Sequence, residues 1–562
     1  MRPWLPQSFQ SLKDYDLKTL LSDLVAGVTV GLVALPLSMA FAIASGLPPQ
    51  AGIYCGVVTG FIISLLGGSK TQIGGPTGAF VVVVAGIVAQ YGVGGLFMCT
   101  MMAGTLLVIM GLTGLGSAVK FIPRPIVIGF TNGIALLIAS TQIKDFFGIR
   151  VEKVPGEFLE RIETLLAHAA SFTPLETAVG AGSLTVILFC LKFMPRVPGS
   201  IVVLFGSTAA VALLNLPVET IGTRFGGIPS GLPRLDVPEF QPRMVLKLLG
   251  PALTVAMLGA IESLLSAVVA DRMTKSRHNP NTELFAQGVA NIVSPLFGGL
   301  PATGAIARTA TSIRSGAKTP AAGIIHAFVL LAVLLIAAPL AKSVPMAALA
   351  AILFVVAYNM GEWSEIPGIL KLGKRDVSVW AVTFLLTVFA DLTVAVEFGM
   401  IMAALVFISR VALTTTVSQV TDDYLQKGWQ HILQDKQIPP YVTIFRIHGP
   451  FLFGSTDKLE EVEPRIPELP PVVILRLRNM TAIDATGLHA LEMFADKLHE
   501  SGRELLLCGA SWQPAKMMRR AEFGRHVGPD NICENVETAI VRAATVYEEM
   551  QARPRESKPQ PA

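Results

Sequence analysis

Two short Gly/Pro motifs, one arginine and one glutamate carry the chemistry of this chain. Gly74-Gly75-Pro76-Thr77-Gly78-Ala79 recurs, with two residues added, as Gly298-Gly299-Leu300-Pro301-Ala302-Thr303-Gly304-Ala305. Apolar runs flank both copies. Irregular backbone at membrane depth leaves N–H and C=O groups unpaired, and it is tolerated only where protein or a watery cavity satisfies them. A helix that starts there points unpaired N–H groups and the positive end of its dipole at the cavity. Such breaks in corresponding halves of a chain mark the binding sites of secondary transporters. The N–H groups around Thr77–Ala79 and Gly304–Ile306 are therefore read as an anion site, comprising Thr77, Gly78, Gly304, Ala305 and Ile306, with the Thr77 hydroxyl as a further donor. Simple close packing of small residues is the plain alternative. It does not explain the recurrence.

Arg308 lies four residues past Gly304. An arginine in a span costs about 2.5–3.5 kcal/mol on insertion scales and marks function by default. Its guanidinium fits an oxyanion bidentately. The alternative is a residue snorkelling at the cytoplasmic end, the reading given to Arg314. Glu262 is the only acidic residue in the run Leu248–Ala270, and Ser266 lies one turn on, sharing its helix face. Ionised Glu262 near Arg308 would cancel much of the positive potential, and a proton would restore it. Proton and anion would then favour each other's binding. A sodium site using Glu262 and Ser266, or a structural salt bridge from Glu262 to Arg308, are the alternatives. In the first span, Pro36 is expected to break the helix, with Leu37 and Phe41 lining the pocket.

These residues sit in a chain of 562 residues that is 52% hydrophobic and 15% charged, with a net charge of +4. Soluble domains carry roughly 25% charged residues. The composition specifies a polytopic α-helical membrane protein with a more polar C-terminal region. The charge is too small to argue for nucleic acid, and no basic cluster interleaves with aromatics. The cysteines Cys55, Cys99, Cys190, Cys508 and Cys533 show neither paired nor metal-ligand spacing. No nucleophile–base pair, metal set or cofactor motif is legible, so an enzyme is not expected.

Runs long enough for spans, or for half-helices, fall near 24–46, 51–67, 78–90, 95–117, 125–147, 176–194 and 199–215. A second set falls near 246–270, 284–298, 304–314, 320–341, 345–359, 377–394 and 396–417. This makes fourteen in two sets of seven, and an odd number per set inverts the second copy. The runs 78–90 and 304–314 are too short to cross alone and read as half-helices. With the N-terminus inside, the short inner loops collect Lys70, Lys120, Arg124, Lys192, Arg196, Arg272, Lys275, Arg277, Arg314, Lys318, Lys371, Lys374 and Arg375. Lys342 is an exception. The flanking Lys13, Asp14, Asp16, Lys18 and Asp23 are mixed in sign, so the first run reads as a span and not a cleaved signal. Both termini are expected to be cytoplasmic, in the cell (inner) membrane.

The expected domains are an N-terminal segment 1–23, a transport domain 24–418 (repeats about 24–215 and 246–418), a small α/β domain with its linker at 419–550, and a disordered tail 551–562. In the α/β domain, Val442–Ile447, Val472–Leu477 and Leu505–Cys508 read as strands. Segments 486–500, 512–522 and 536–550 read as helices.

With these residues in view, the chain resembles the sulfate permease family of anion transporters. The resemblance rests on Leu35-Pro36, Met39-Ala40-Phe41-Ala42, Gly74–Thr77, Glu262-Ser263, Ser266-Ala267 and Ala307-Arg308-Thr309. A STAS domain marked by Ile483-Asp484-Ala485-Thr486-Gly487 completes it. It implies a seven-plus-seven inverted repeat with core and gate domains, an elevator-like movement and a homodimer. It implies pocket positions at Leu37, Phe41 and Thr77, a backbone anion site at Gly304–Ala307, and an anion-facing Arg308. Two departures count against sodium coupling. Sodium-coupled bicarbonate members place aspartate where Glu262 stands and threonine where Ile306 stands. In the STAS domain, Ala485 replaces a serine, so any phosphorylation would fall on Thr486, with Asp484 as a helix cap or regulatory residue. The expected function is secondary transport of a C4-dicarboxylate, bicarbonate or sulfate, coupled to protons. Sodium-coupled bicarbonate symport, or passive anion exchange or conduction, are the alternatives, and a nucleobase permease is disfavoured by Arg308 and the STAS domain. The expected partners are the anion, the coupling ion, the bilayer and a cytoplasmic protein at the STAS domain.

Overall fold

Asp16 starts the first membrane helix, α1 (Leu17–Ala44), by accepting the backbone N–H of Thr19 at 2.8 Å. Pro36 does not break it. The helix runs through, and the missing proline N–H leaves only the Leu32 carbonyl without its usual donor. The computed structural model describes residues 4–11, 15–116, 123–151, 154–194, 197–229, 231–239, 241–390, 392–420 and 438–552. The expectations placed on Lys13, Asp14, Lys120 and Arg196, on linker residues 421–437 and on the tail from 553 lie outside the described residues. Two compact units form, Met1–Ala403 and Ala404–Ala562.

Helix α2 (Pro49–Leu66) leads into β1 (Gly74–Gly75), and α3 (Gly78–Thr113) starts three residues after it. Helix α3 contains two spans joined at Gly92, whose φ of 69° departs from helical geometry. The two expected runs, 78–90 and 95–117, are thus joined by a kink and not a loop. Helices α4 (Arg124–Phe147), α5 (Pro174–Phe193) and α6 (Gly199–Leu214) close the first repeat. The second repeat mirrors the plan. Its first elements are α7 (Val245–Thr274), α8 (Pro280–Val293), β2 (Thr303–Gly304) and α9 (Ile306–Arg314). Helices α10 (Ala321–Ala337), α11 (Met346–Met360), α12 (Lys374–Phe389) and α13 (Leu392–Thr414) follow. Counting α3 as two, the described residues hold fourteen membrane helices in a seven-plus-seven inverted repeat.

Two packed bodies make up the membrane unit. Helices α1, α2, α3, α7, α8, α9 and α10 contact one another as a core. Helices α4, α5, α6, α11 and α12 pair off as a gate. Small residues set the closest approaches, as expected where lipid offers no hydrophobic drive for helix association. A Cβ at Gly52 of α2 would lie 1.8 Å from the Ser38 carbonyl oxygen of α1.

The second unit carries a five-stranded sheet in the order β3 (Thr416–Gln419), β4 (Val442–Phe451), β5 (Val472–Ile483), β6 (Glu504–Cys508), β7 (Ile532–Cys533). β3 is antiparallel to β4; the other pairs are parallel. Side-chain alternation gives the sheet two buried faces. Phe445, Ile447, Val473 and Leu475 pack against α14 (Ala485–Glu500) and α15 (Trp512–Arg520). Val442, Ile444, Val472 and Ile474 pack against α16 (Val536–Ala552). β3 and β7 escaped the sequence reading. Thr416 and Val417 fall at the end of the last apolar run, and a two-residue β7 carries no period to read.

Asp484 accepts the N–H of Gly487 at 2.8 Å, capping α14, and the N–H of Phe453 at 3.1 Å. Replacing it with alanine is expected to cost about 1 kcal/mol locally. Hydrogen exchange at Gly487 and Phe453 should rise about fivefold, and Asp484→Asn should restore most of the protection.

Candidate functional site

The two broken segments meet. β1 and β2 pair antiparallel, Gly74 opposite Gly304 and Gly75 opposite Thr303, and the Ala305 N–H donates to the Ile73 carbonyl at 2.8 Å. Helix α3 begins at Gly78 with Thr77 as its N-cap, and α9 begins at Ile306 with Ala305 as its N-cap. No side chain caps either end. The first turns of α3 and α9 therefore keep N–H groups for a ligand, and both dipoles place positive ends there. Ile306 is half-exposed and Ala307 exposed, whereas Thr77, Gly78, Gly304 and Ala305 are buried.

Side chains satisfy the irregular backbone leading into these starts, as membrane depth demands. Asn291 of α8 grips Ala302 from both sides. Its Oδ1 accepts the Ala302 N–H at 2.8 Å and its Nδ2 donates to the Ala302 carbonyl at 2.8 Å. Ser294 donates to the Leu300 carbonyl at 2.7 Å, and Thr303 to the Gly259 carbonyl of α7 at 2.9 Å. On the first segment, Gln72 donates to the Ser263 carbonyl at 3.0 Å and to its hydroxyl at 3.1 Å. Glu283 accepts the N–H groups of Gly68 at 2.9 Å and Ser69 at 3.1 Å. Asn291 is a lone polar residue in an apolar run, and Gln72 and Glu283 stand in short polar stretches between runs, so no spacing marks any of the three in the sequence.

Arg308 is 2% exposed and donates through Nη2 to the Pro76 carbonyl. It thus sits on α9 but holds the segment before α3. Glu262 of α7 is half-buried and accepts the Thr77 hydroxyl at 2.8 Å. Two expectations change. The Thr77 hydroxyl, expected to face a ligand, donates to Glu262. Arg308 and Glu262 do not form the alternative salt bridge: they interact electrostatically, yet each bonds a different residue of the first break. Ser266 is buried and donates to the Thr309 hydroxyl at 3.2 Å, which in turn accepts the Ile73 N–H at 3.0 Å. Ser266 thereby ties α7 to α9 and, through Thr309, to the residue before β1.

The start of α3 is tightly enclosed. A Cβ placed on Gly78 would lie 3.4 Å from Phe41 Cε1, 3.3 Å from Ile138 Cδ1 and 3.3 Å from Met360 Sδ. Phe41 is the expected pocket residue from α1. Ile138 of α4 and Met360 of α11 come from the gate, and nothing in their apolar surroundings distinguishes them in sequence. Core and gate thus meet at the start of α3.

Gly75 and Gly304 are fixed by geometry. Gly75 has φ +152°, and a Cβ there would lie 2.5 Å from Arg308 Nη1. A Cβ on Gly304 would lie 1.5 Å from Gln72 Nε2. Gly75→Ala should displace the guanidinium and cut transport at least about tenfold, since backbone strain of this kind costs about 1–3 kcal/mol. Uptake normalised to the amount of protein in the membrane measures it.

Comparisons with known proteins agree with this architecture. Residues 20–383 match the model of the sulfate permease family, and residues 434–539 match the STAS domain. The putative sulfate transporter YvdB of Bacillus subtilis is 40% identical over 527 residues, covering 93% of this chain and 98% of the relative. The bicarbonate transporter BicA of Picosynechococcus sp. is 31% identical over 544 residues, covering 93% of this chain and 94% of the relative. The solved transmembrane domain of a cyanobacterial BicA aligns with a TM-score of 0.61 at 34% identity, over 69% of this chain and 98% of that one. The murine Solute Carrier 26 family member A9 anion transporter in its inward-facing state aligns at 0.85 with 17% identity, over 96% of this chain and 94% of that one, which speaks for the fold alone. With its paired broken helices, its buried arginine and its C-terminal STAS domain, this chain belongs to the sulfate permease family of membrane anion transporters.

Proposed function

We propose that this protein takes up a small inorganic oxyanion, bicarbonate or sulfate, together with a proton, and holds the anion between the starts of α3 and α9. One observation carries the reading: the antiparallel pairing of β1 with β2 brings both helix starts and Arg308 to one place. The N–H groups of Gly78 and Ala79 on one side, and of Ile306 and Ala307 on the other, bind the oxygens. Arg308 supplies fixed positive charge. The enclosure of Gly78 by Phe41, Ile138 and Met360 favours a compact anion over a C4-dicarboxylate. The names of the relatives, a putative sulfate transporter and a bicarbonate transporter, point the same way.

Proton coupling rests on Glu262. Its contact with Thr77 puts a titratable charge beside the helix start without consuming Arg308. Ionised, it opposes the anion; protonated, it does not. Proton and anion therefore load together. Sodium symport is the second reading, in which Glu262 and the oxygen of Ser266, whose proton goes to Thr309, would hold the cation. In this account the chain acts as a homodimer, keeps both termini in the cytoplasm, and presents Asp484 and exposed Thr486 of the STAS domain to a cytoplasmic protein.

The test is uptake of labelled bicarbonate, sulfate and succinate into proteoliposomes, each with an inward proton gradient, an inward sodium gradient or neither. Accumulation of bicarbonate or sulfate on the proton gradient is the expected result. Accumulation on sodium alone, or of succinate alone, would overturn the coupling or the substrate assignment.

A further inference from the structure

The pairing of β1 with β2 leaves one edge of β1 turned away from its partner. Because Ala305 donates to Ile73, Gly74 and Gly304 form a non-hydrogen-bonded pair, and the N–H and C=O of Gly74 point outward. Helices α2 and α10 face that edge. A Cβ on Gly60 of α2 would lie 3.2 Å from His326 Nδ1 of α10 and 3.4 Å from the Gly74 carbonyl oxygen. The imidazole of His326 therefore lies beside the first broken segment, in space left by the missing side chain of Gly60.

His326 is 0% exposed, and neither ring nitrogen has a hydrogen-bond partner among the described residues. The ring leans towards the Gly323 carbonyl, one turn back, without reaching bonding geometry. Arg308 reaches the residue after Gly74 in the first broken segment, its Nη1 lying 2.5 Å from where a Cβ on Gly75 would stand. Arg308 Nη1 is likewise buried and without a partner among the described residues, although Nη2 is bonded to Pro76. Buried polar groups left unpaired are costly, so native proteins pair them. A neutral imidazole has one donor and one acceptor. The same stretch of chain offers one acceptor, the outward Gly74 carbonyl, and is reached at Gly75 by one donor, Arg308 Nη1.

We propose that His326 is a positioning residue of the anion site, resting on the function proposed above: one ring nitrogen donates to the Gly74 carbonyl and the other accepts from Arg308 Nη1, each directly or through a single ordered water. Arg308 is then held from two sides, Nη2 by Pro76 and Nη1 by His326. His326 reaches the ligand only through Arg308 and β1. The buried hydroxyl of Ser64, beside Gly323 and so one turn from His326, also lacks a partner among the described residues and can complete the shell of such a water.

The test compares His326→Leu with His326→Gln in the purified full-length protein. Glutamine keeps a donor and an acceptor in a similar volume; leucine keeps only the volume. Hydrogen exchange across residues 73–81 is read first, without any substrate. The leucine variant should exchange about tenfold faster there, the effect of losing one buried hydrogen bond, and the glutamine variant should stay within about threefold of wild type. In proteoliposomes the leucine variant should raise the KM for the transported anion about tenfold with a much smaller change in maximal rate, and glutamine should rescue it. Unchanged exchange in the leucine variant, or equal impairment in both variants, would overturn the proposal. Wild-type protein that transports no small anion, while the leucine variant still loosens residues 73–81, would sink the transport reading and leave the His326 contact standing.

Discussion

Arg308→Ala should reduce anion uptake about 100-fold or more in protein that still folds and inserts. Two losses combine. The first is the fixed charge beside the two helix starts. The second is the bond from Nη2 to the Pro76 carbonyl, which ties the end of β1 to α9 across the repeat boundary. A hydrogen bond made by a charged group contributes about 1.5–3 kcal/mol. At about 1.4 kcal/mol per tenfold, its loss with that of the charge yields the stated effect. Arg308→Lys should recover only a small part, because an ammonium is a point charge without the planar fork. Initial uptake rates in proteoliposomes, set against the amount of monodisperse protein, measure this. Uptake in Arg308→Ala within about threefold of wild type would remove the arginine from the site.

Glu262→Gln should abolish coupling while sparing downhill flux. The Thr77 hydroxyl donates to a carboxylate oxygen at 2.8 Å, and an amide carbonyl accepts the same bond, so the local geometry survives. The charge does not. On the coupling proposed above, a falling pH should add a proton to Glu262 in wild type, remove negative charge from beside the anion, and strengthen anion binding. Glutamine imitates the protonated state at every pH. A unit charge roughly 7 Å away contributes about 2 kcal/mol at an effective dielectric near 20, so wild-type uptake should rise up to about 30-fold on acidification. In the glutamine variant the rise should shrink below about twofold, and accumulation against a gradient should vanish while counterflow continues. Uptake measured across a series of external pH values, at fixed internal pH, separates the two. A glutamine variant that still concentrates the anion on a proton gradient would move the coupling proton elsewhere.

Much of this architecture is legible in the residues. The recurrence of the Gly/Pro motif at 74–79 and 298–305 announces two breaks, and Gly75 and Gly304 are needed because other groups occupy the space a Cβ would fill. An arginine and a glutamate stand out in apolar runs because of the cost of burying them. What stayed hidden depends on pairing. That β1 and β2 form one ladder, and that Arg308 of the second repeat bonds Pro76 of the first, follows from tertiary placement. The Thr77 hydroxyl was assigned to the ligand because sequence cannot show that Glu262 lies within its reach. Ile138 and Met360 are indistinguishable from lipid-facing residues until the gate is folded against Gly78. Pro36 points the other way: in a stretch of α1 with no exposed residue, the helix loses one hydrogen bond at proline and continues.

The most direct test of the paired helix starts is a structure determined with the transported anion, selenate standing in for sulfate so that anomalous scattering locates it. A single peak is expected within hydrogen-bond distance of the backbone nitrogens of Gly78 or Ala79 and of Ile306 or Ala307, absent in Arg308→Ala. A peak at any other place in the membrane unit, or no peak at a concentration that saturates transport, would contradict it.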